Sequence, residues 1–425
     1  MKKTIKLLAL TLTVGVSLSA ARPTVAAAAS SAALQAGDLI AICGDSITEQ
    51  KSYSIYLEDY FLMCQPAGNL QAVQLGLGGE GAPSFATRLQ ADALPYHPTV
   101  ATIFYGMNDG GYTAPDEALK KRFRDGMAAV VRTFKDAGLR LIVAGTPGVV
   151  DSDAFKRPGT APEVYNETLR QLGEMSKEVA DSEGVVFADV HSLLLDMMAK
   201  AKAKYGAAYH VAGADGVHPD WNGHLVIAYA FLKALGCDGN IGAITYDFGA
   251  GQATADRAQK ILSVTNGEIQ VESTRYPFCF FGNPDATRST RGMLEFLPFN
   301  EDLNRYTLTV TNARGDLKVT WGKESKVFPA AALAKGVNLA AEFLDNPFAA
   351  KFIEVEKAIR SQQNIETPII RTSSLLALIV RELPDTQAEF DQLRQTMFGL
   401  DAKLRQRAAD SVTPVTHTIK IEPVN

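Results

Sequence analysis

The chain has 425 residues, of which 46% are hydrophobic and 21% are charged, and this composition is typical of a folded protein with a sizeable core. That length favours two domains. The formal charge of −5, from 42 basic and 47 acidic residues, provides no basic surface for nucleic acid or for an anionic membrane. We therefore expect no nucleic-acid partner.

The N-terminal segment has the three-part pattern of a signal peptide. Three lysines within the first six residues precede an apolar run at 7–20, and small residues follow at 26–29. The apolar run is short and contains Thr, Ser and Gly, which disfavours the alternative of an uncleaved anchor. We expect residues 1–28 to be removed, no membrane span afterwards, and a periplasmic or extracellular location in a bacterium.

Short apolar runs then alternate with amphipathic stretches as far as about residue 240. Buried strands are predicted at 39–43, 100–105, 139–144 and 185–189, and helices at 117–137 and 162–182. Strands that alternate with helices predict a parallel sheet with helices on both faces. Sites in such sheets form beyond the carboxyl ends of the strands.

The pattern changes in the C-terminal part, residues 245–425. Alternation of apolar and polar residues predicts half-exposed antiparallel strands at 268–273, 305–311, 317–321 and 416–422, and residues 312–316 form a turn between two of them. From about 330 to 410 the periodicity is helical, with Phe390, Leu393, Met397 and Leu400 on one face. We predict a smaller β-rich accessory unit with a helical insertion.

Four cysteines leave the redox state open. Cys43, Cys64, Cys237 and Cys279 could form disulfides in three pairings in an exported protein, whereas Cys43 within an apolar strand is equally suited to be a buried thiol. No CxxC motif occurs, so we expect no metal or redox cofactor.

The loop after the first strand, Gly44-Asp45-Ser46-Ile47-Thr48, contains a candidate nucleophile. A serine between the end of a buried strand and the start of a helix has an exposed hydroxyl and a backbone N–H near the positive end of the helix. The alternative is that Ser46 or Asp45 only caps the helix.

A candidate base lies in Asp215-Gly-Val-His218-Pro219, just before a helix that begins at Trp221. A serine nucleophile needs a base to accept its proton, and that base needs an acid to hold its tautomer and stabilise the imidazolium. Asp215 and His218, three residues apart in one loop, can supply both.

Two glycine-containing loops are suited to hold an oxyanion. One spans Gly76–Gly81, and the other is Gly106-Met-Asn108-Asp109 after the strand at 100–105. Glycine lets a backbone N–H approach the substrate closely, and the Asn108 amide can donate to developing negative charge.

In this order the four blocks resemble those of the SGNH (GDSL-like) hydrolase superfamily over residues 36–240. The resemblance implies a flavodoxin-like three-layer α/β/α fold and ester hydrolysis through an acyl-enzyme, without cofactor or metal. By motif, Ser46 is the nucleophile, His218 the base and Asp215 its partner. The Ser46 N–H, the Gly79 N–H and Asn108 form the oxyanion hole. Family members usually have Asn before the second-block glycine and Thr or Ser after it. Here Leu75-Gly76-Leu77 precedes and Glu80-Gly81 follows, so Gly78 stays the alternative to Gly79.

Other interpretations of these residues are weaker. Gly76-x-Gly78-x-x-Gly81 fits a dinucleotide fingerprint, but it does not follow the first strand. A metal set of His218, Asp220 and His224 is disfavoured because Pro219 and Gly223 break the helical spacing. His191 after Asp189 is better explained as a loop histidine beside a capping acid. Trp221 either lines a substrate platform or packs the last helix.

For an exported two-domain esterase we predict that the reaction is removal of acyl groups, most simply acetyl, from polysaccharide or oligosaccharide. The alternatives are a lipid or aryl esterase or thioesterase, and a non-catalytic carbohydrate-binding module.

Overall fold

The computed structural model describes residues 34–424, so the predicted signal peptide, residues 1–28, lies outside the described residues. None of the helices in this range is both long and apolar enough to cross a membrane. Three sheets organise the described residues, one in the N-terminal half of the chain and two in the C-terminal half.

The first sheet is parallel throughout. Its strands are β1 (Leu39–Gly44), β2 (Gln71–Gln74), β3 (Val100–Phe104), β4 (Leu141–Gly145) and β5 (Val186–Ala188). They are ordered β2-β1-β3-β4-β5, which is the flavodoxin-like doubly wound order. The four strands predicted from apolar runs are confirmed within two residues at each end.

Helices cover both faces of this sheet. They are α1 (Ser46–Glu49), α2 (Tyr53–Asp59, continued by a π-helical turn over Tyr60–Cys64), α3 (Ala82–Asp92), α4 (Glu117–Asp136), α5 (Pro162–Glu183), α6 (Val190–Tyr205) and α7 (Trp221–Ala234). Alternate residues of β1 point to opposite faces. Ala41 and Cys43 join the cluster formed with α3 and α4, whereas Ile40 and Ile42 join the cluster of α2, α6 and α7. The predicted three-layer α/β/α fold is confirmed.

The C-terminal part contains two β-sheets and a set of helices. Its strands are β6 (Asn240–Asp247), β7 (Gln252–Ala255), β8 (Gln259–Thr265), β9 (Glu268–Ser273), β10 (Arg305–Thr311), β11 (Leu317–Trp321), β12 (Glu324–Phe328), β13 (Val337–Asn338) and β14 (Val415–Pro423). Its helices are α8 (Phe299–Leu303), α9 (Ala330–Lys335), α10 (Leu339–Glu342), α11 (Ala349–Glu382) and α12 (Gln387–Asp410). Short 3₁₀ turns occur at Leu94–Tyr96, Arg291–Met293 and Pro384–Thr386.

The prediction of antiparallel pairing is only partly correct for β10. The sheets have the orders β13-β10-β6-β7 and β12-β11-β14-β9-β8, and β10 pairs antiparallel with the two-residue β13 but in parallel with β6. The turn at 312–316 connects β10 and β11, which lie in different sheets and do not pair with each other. Alternation along a strand reports which face is buried, and it carries no information about the direction of the neighbouring strand.

Side chains from the two C-terminal sheets meet in an aromatic core. Trp321 is fully buried, its ring stacks on Tyr306 with centroids 5.4 Å apart, and its Nε1–H donates to His417 Nδ1 at 3.1 Å. Burial lowers the pKa of His417 to about 4, so this imidazole is neutral and can accept that hydrogen bond.

Helix α11 joins the C-terminal part to α2, which covers the parallel sheet, through buried polar groups. Gln363 accepts the Ser54 hydroxyl at 2.7 Å and donates to Glu58 at 2.8 Å, and all three side chains are buried. On α12, Leu393 and Leu400 are exposed although the sequence places them on one apolar face. The four cysteines are all buried free thiols.

Candidate active site

The candidate nucleophile lies at the junction of β1 and α1. Asp45 is the N-cap of α1, and its Oδ1 accepts the Ile47 N–H at 2.9 Å, so the capping role falls to Asp45 and not to Ser46. Gly44 has to be a glycine, because a Cβ there would lie 2.8 Å from the Phe104 carbonyl oxygen and 2.0 Å from Thr48 Oγ1. The tight turn leaves the Ser46 hydroxyl accessible at the carboxyl edge of the sheet.

Ser46, His218 and Asp215 form one hydrogen-bonded series. Ser46 Oγ lies 2.8 Å from His218 Nε2, and His218 Nδ1 lies 2.6 Å from Asp215 Oδ2. Asp215 Oδ1 also accepts the Val217 and His218 N–H groups, each at 2.9 Å. Partial burial opposes ionisation of Asp215, but these hydrogen bonds and the neighbouring imidazole lower its pKa overall. An ionised Asp215 keeps a proton on Nδ1 and leaves the Nε2 lone pair for the Ser46 hydroxyl.

A buried charged cluster supports the loop that contains these two residues. Asp151 is fully buried, its N–H donates to the Gly216 carbonyl at 2.9 Å, and its carboxylate accepts from His210 Nδ1 at 3.0 Å and from Lys202. Gly213 has φ +81°, and a Cβ there would lie 1.7 Å from the His218 carbonyl oxygen. The loop is therefore held on both sides of Asp215.

The two predicted oxyanion loops meet beside Ser46. Gly78 donates its N–H to Glu49 Oε2 at 2.7 Å, whereas no acceptor within residues 34–424 is paired with the N–H of Gly79. Gly79 has φ +77°, and a Cβ there would meet no atom within 4 Å, so this residue borders open space. Asn108 donates one amide hydrogen to the Glu80 carbonyl at 3.0 Å, which leaves its second hydrogen available.

Buried carboxyl groups lie beneath this site. Burial, together with the charges of Asp109 and Glu80, raises the pKa of Asp45 to about 7 against the lowering effect of the Ile47 N–H. Burial likewise raises the pKa of Asp109 to about 6, although Oδ1 accepts the Ala82 N–H at 3.0 Å. Glu80 is paired with Arg88 at 2.6 Å and accepts the Tyr105 hydroxyl at 2.8 Å.

A cavity of about 440 Å³ lies beside the start of α7. Its aromatic lining consists of Tyr56, Trp221, Phe278, Phe281 and Phe352. Charged side chains of α11 form part of the same wall: Glu356, Lys357 and Arg360. Trp221 is 42% exposed, so it lines this cavity rather than being enclosed by the last helix. Since Trp221 is only three positions after His218 in the chain, their Cα atoms lie within about 11 Å of each other.

The other histidines near the site have structural partners. His224 is buried between the Tyr53 N–H and Gln50 Oε1, at 3.3 and 3.0 Å, and burial lowers its pKa to about 3. Asp189 caps α6 by accepting the Ser192 N–H at 3.0 Å, and His191 Nδ1 lies 2.9 Å from the Gly148 carbonyl oxygen. Across the described range, no three His, Cys, Asp or Glu side chains are grouped so that they could hold a metal ion.

A family profile described as GDSL-like lipase/acylhydrolase matches residues 42–226. These residues form a GDSL-like acylhydrolase domain. The acylhydrolase domain confirms the SGNH resemblance, and the protein is an ester hydrolase.

The similarity to individual proteins is more distant than the family match. The chain is 24% identical over 213 residues to an acetylxylan esterase of Geobacillus stearothermophilus, covering 47% of this chain and 91% of that one. The structure is similar to that of a gut microbial diltiazem-metabolizing enzyme, with a TM-score of 0.72 and 22% identity over 92% of this chain and 98% of the other. A structure of acetylxylan esterase from G. stearothermophilus gives a TM-score of 0.39 and 18% identity over 48% and 95% of the two chains. The structure of the diltiazem-metabolizing enzyme shares the fold of the C-terminal part as well as that of the acylhydrolase domain.

The structure adds residues to the site that sequence reasoning missed. Glu49, in the first helix after the nucleophile, contacts the glycine loop, and Asp151 with His210 supports the loop of His218. Glu49 lies only three residues after Ser46, and this short separation was a signal in the sequence that Glu49 belongs to the site. Arg371, which pairs with Glu49 from 322 residues away, has no local sequence signal.

Proposed function

We propose that the protein is an exported serine esterase that removes acyl groups, most simply acetyl, from polysaccharide or oligosaccharide esters. The observation that carries the proposal is the series from Ser46 Oγ through His218 to Asp215, with distances of 2.8 and 2.6 Å. The acylhydrolase domain and its similarity to an acetylxylan esterase support the choice of an acetylated carbohydrate. The signal-like N-terminal pattern supports export.

In the proposed reaction Ser46 Oγ attacks the ester carbonyl carbon while His218 Nε2 takes its proton. The N–H groups of Ser46 and Gly79 and the free Asn108 amide hydrogen stabilise the oxyanion. Collapse of this intermediate breaks the bond to the alcohol, which leaves with the proton from His218. A water molecule, deprotonated by His218, then attacks the acyl-enzyme and releases the acid and Ser46.

A second candidate is an esterase for apolar or aryl esters. The cavity beside Trp221 favours it, because five aromatic side chains line the wall and suit a ring-bearing alcohol better than a heavily hydrated sugar. Its volume of about 440 Å³ is within the usual range for small-molecule sites.

Two measurements test both candidates: acetate release from acetylated xylan, other acetylated glycans and diltiazem, which carries an O-acetyl group, and p-nitrophenol release from p-nitrophenyl esters of short and long chains. Each substrate is tested with wild type, with Ser46→Ala and with Ser84→Ala, an exposed serine at the start of α3 that serves as the matched control. Acetate release from a glycan that is lost only in Ser46→Ala supports the carbohydrate esterase. Turnover restricted to the synthetic esters or diltiazem supports the second candidate. Activity that is unchanged in Ser46→Ala contradicts both.

A further inference from the structure

Glu49 connects the C-terminal part of the chain to the glycine loop beside Ser46. Its Oε2 accepts the Gly78 N–H at 2.7 Å, and its Oε1 accepts from Arg371 Nη2 at 2.6 Å. Glu49 ends the four-residue helix that begins with Ser46, and Arg371 lies on α11. Two consecutive charge-assisted hydrogen bonds therefore run from α11 to the loop that contains Gly79.

Gly79 lies between two residues that are held by hydrogen bonds, while its own N–H has no acceptor among the described residues. On one side Gly78 is held by Glu49; on the other, the Glu80 carboxylate is held by Arg88 at 2.6 Å, and its carbonyl by Asn108 at 3.0 Å. Because Gly79 lacks a Cβ and adopts φ +77°, the direction of its N–H depends on these flanking contacts. Loss of the contact at Gly78 frees one side of the loop.

Helix α11 is firmly attached at the edge of the sheet where the loop begins. The buried Glu366 accepts the N–H of Gln74, the last residue of β2, at 2.8 Å, and Gln74 Nε2 donates to the Thr48 carbonyl at 2.9 Å. Gln362 donates to the Ala72 carbonyl at 3.1 Å, one turn earlier on the same helix. Arg371 thus projects from a fixed part of α11 and not from a loose surface helix.

We propose that Arg371 is a positioning residue for the reaction at Ser46. Through Glu49 it holds Gly78 and so directs the Gly79 N–H toward the oxyanion. The C-terminal part then contributes to turnover through a contact that does not touch substrate. This proposal rests on the proposed function, because it assigns Gly79 to the oxyanion hole.

Arg371→Ala is expected to lower kcat about 3- to 5-fold with KM within twofold of wild type, since the Arg371 side chain is 62% exposed and exposed ion pairs contribute at most about 1 kcal/mol. Glu49→Gln keeps an oxygen acceptor for Gly78 but loses the charge, so it should give the same loss. If both act through one contact, the double variant should be no slower than either single variant. Arg371→Lys retains the positive charge and should recover part of the activity.

Arg381→Ala is the matched control, because Arg381 lies on the same helix, is 71% exposed and pairs only with the adjacent Glu382 among the described residues. Wild-type kcat should also fall toward the Arg371→Ala value between 0.05 and 0.5 M NaCl, whereas Arg371→Ala should respond little, because salt screens exposed pairs. Equal kcat for Arg371→Ala and Arg381→Ala, or additive losses in the double variant, would overturn the proposal. Ser46→Ala distinguishes a failure of the proposed function from a failure of the positioning role. If Ser46→Ala retains activity, the proposed function is wrong. If Ser46→Ala is inactive while Arg371→Ala has the same kcat as Arg381→Ala, only the positioning role of Arg371 is wrong.

Discussion

Replacement of Asp215 by asparagine tests how His218 is held. Asparagine can still accept the Val217 and His218 N–H groups through its oxygen, so the loop should keep its shape. Its amide nitrogen, however, would face His218 Nδ1, where Asp215 Oδ2 now lies at 2.6 Å. A donor at that place favours the tautomer with hydrogen on Nε2, which cannot accept the Ser46 proton.

The size of the loss follows from the exposure of the pair. The side chains of Asp215 and His218 are 56% and 30% exposed, so an effective dielectric constant between those of a protein surface and water applies. Two unit charges about 4 Å apart then interact by about 1–4 kcal/mol, which corresponds to about 5- to 1000-fold in rate. The unfavourable tautomer adds to this loss, and we expect kcat/KM of Asp215→Asn to fall by about 10²- to 10³-fold.

The assay is hydrolysis of p-nitrophenyl acetate at pH 8 by wild type, Asp215→Asn and Asp215→Ala, with thermal unfolding to check that each variant is folded. Alanine removes the charge without imposing a tautomer, so Asp215→Ala should be at least as active as Asp215→Asn. A folded Asp215→Asn that retains more than about a tenth of wild-type kcat/KM, or that clearly exceeds Asp215→Ala, would refute this reasoning.

Three further predictions concern the loops around the site. Gly213→Ala should abolish most activity because the new Cβ would collide with the His218 carbonyl. Gly206 has a similar positive φ of +92° but open space where a Cβ would lie, so Gly206→Ala should keep its activity. Equal kcat/KM values for the two variants would count against the clash. Asn108→Ala should lower kcat by about 10²-fold with little change in KM, measured on the same ester, and a larger effect on KM than on kcat would contradict its role as an oxyanion donor. Asp45 has a pKa raised to about 7 in the folded protein, so its protonated form stabilises the fold at low pH, and that stability is lost as the pH rises through 7. Between pH 5 and 8 the free energy of unfolding of wild type, measured with urea, should therefore fall by about 2–3 kcal/mol relative to Asp45→Asn. A constant difference between the two proteins would contradict the raised pKa.

The sequence was sufficient to predict the acylhydrolase fold because its signals are local. Apolar runs mark β1, β3, β4 and β5 as buried strands, and the helices between them require parallel crossovers. The pattern was less informative for β10, whose alternation is that of a half-buried strand and which pairs in parallel with β6 but antiparallel with β13. Strand direction in that sheet depends on how distant segments meet, and alternation within one segment does not encode it.

The candidate site shows the same division. Ser46, Asp215 and His218 were found because each lies in a short motif at a strand or helix end, and the structure brings the three together. The sequence did not reveal the pairing of Glu49 with Arg371, because the two residues are 322 positions apart and no motif links them. The cysteines show a further limit, since their even number is compatible with disulfides, whereas all four are buried free thiols in the structure.

Active-site labelling with a fluorophosphonate probe, followed by mass spectrometry of the peptides, tests most directly whether Ser46 is the nucleophile. We expect one adduct, on Ser46, that is absent from Ser46→Ala and forms far more slowly in His218→Ala. Labelling of another residue, or no labelling of an enzyme that still hydrolyses esters, would contradict the assignment of Ser46 as nucleophile.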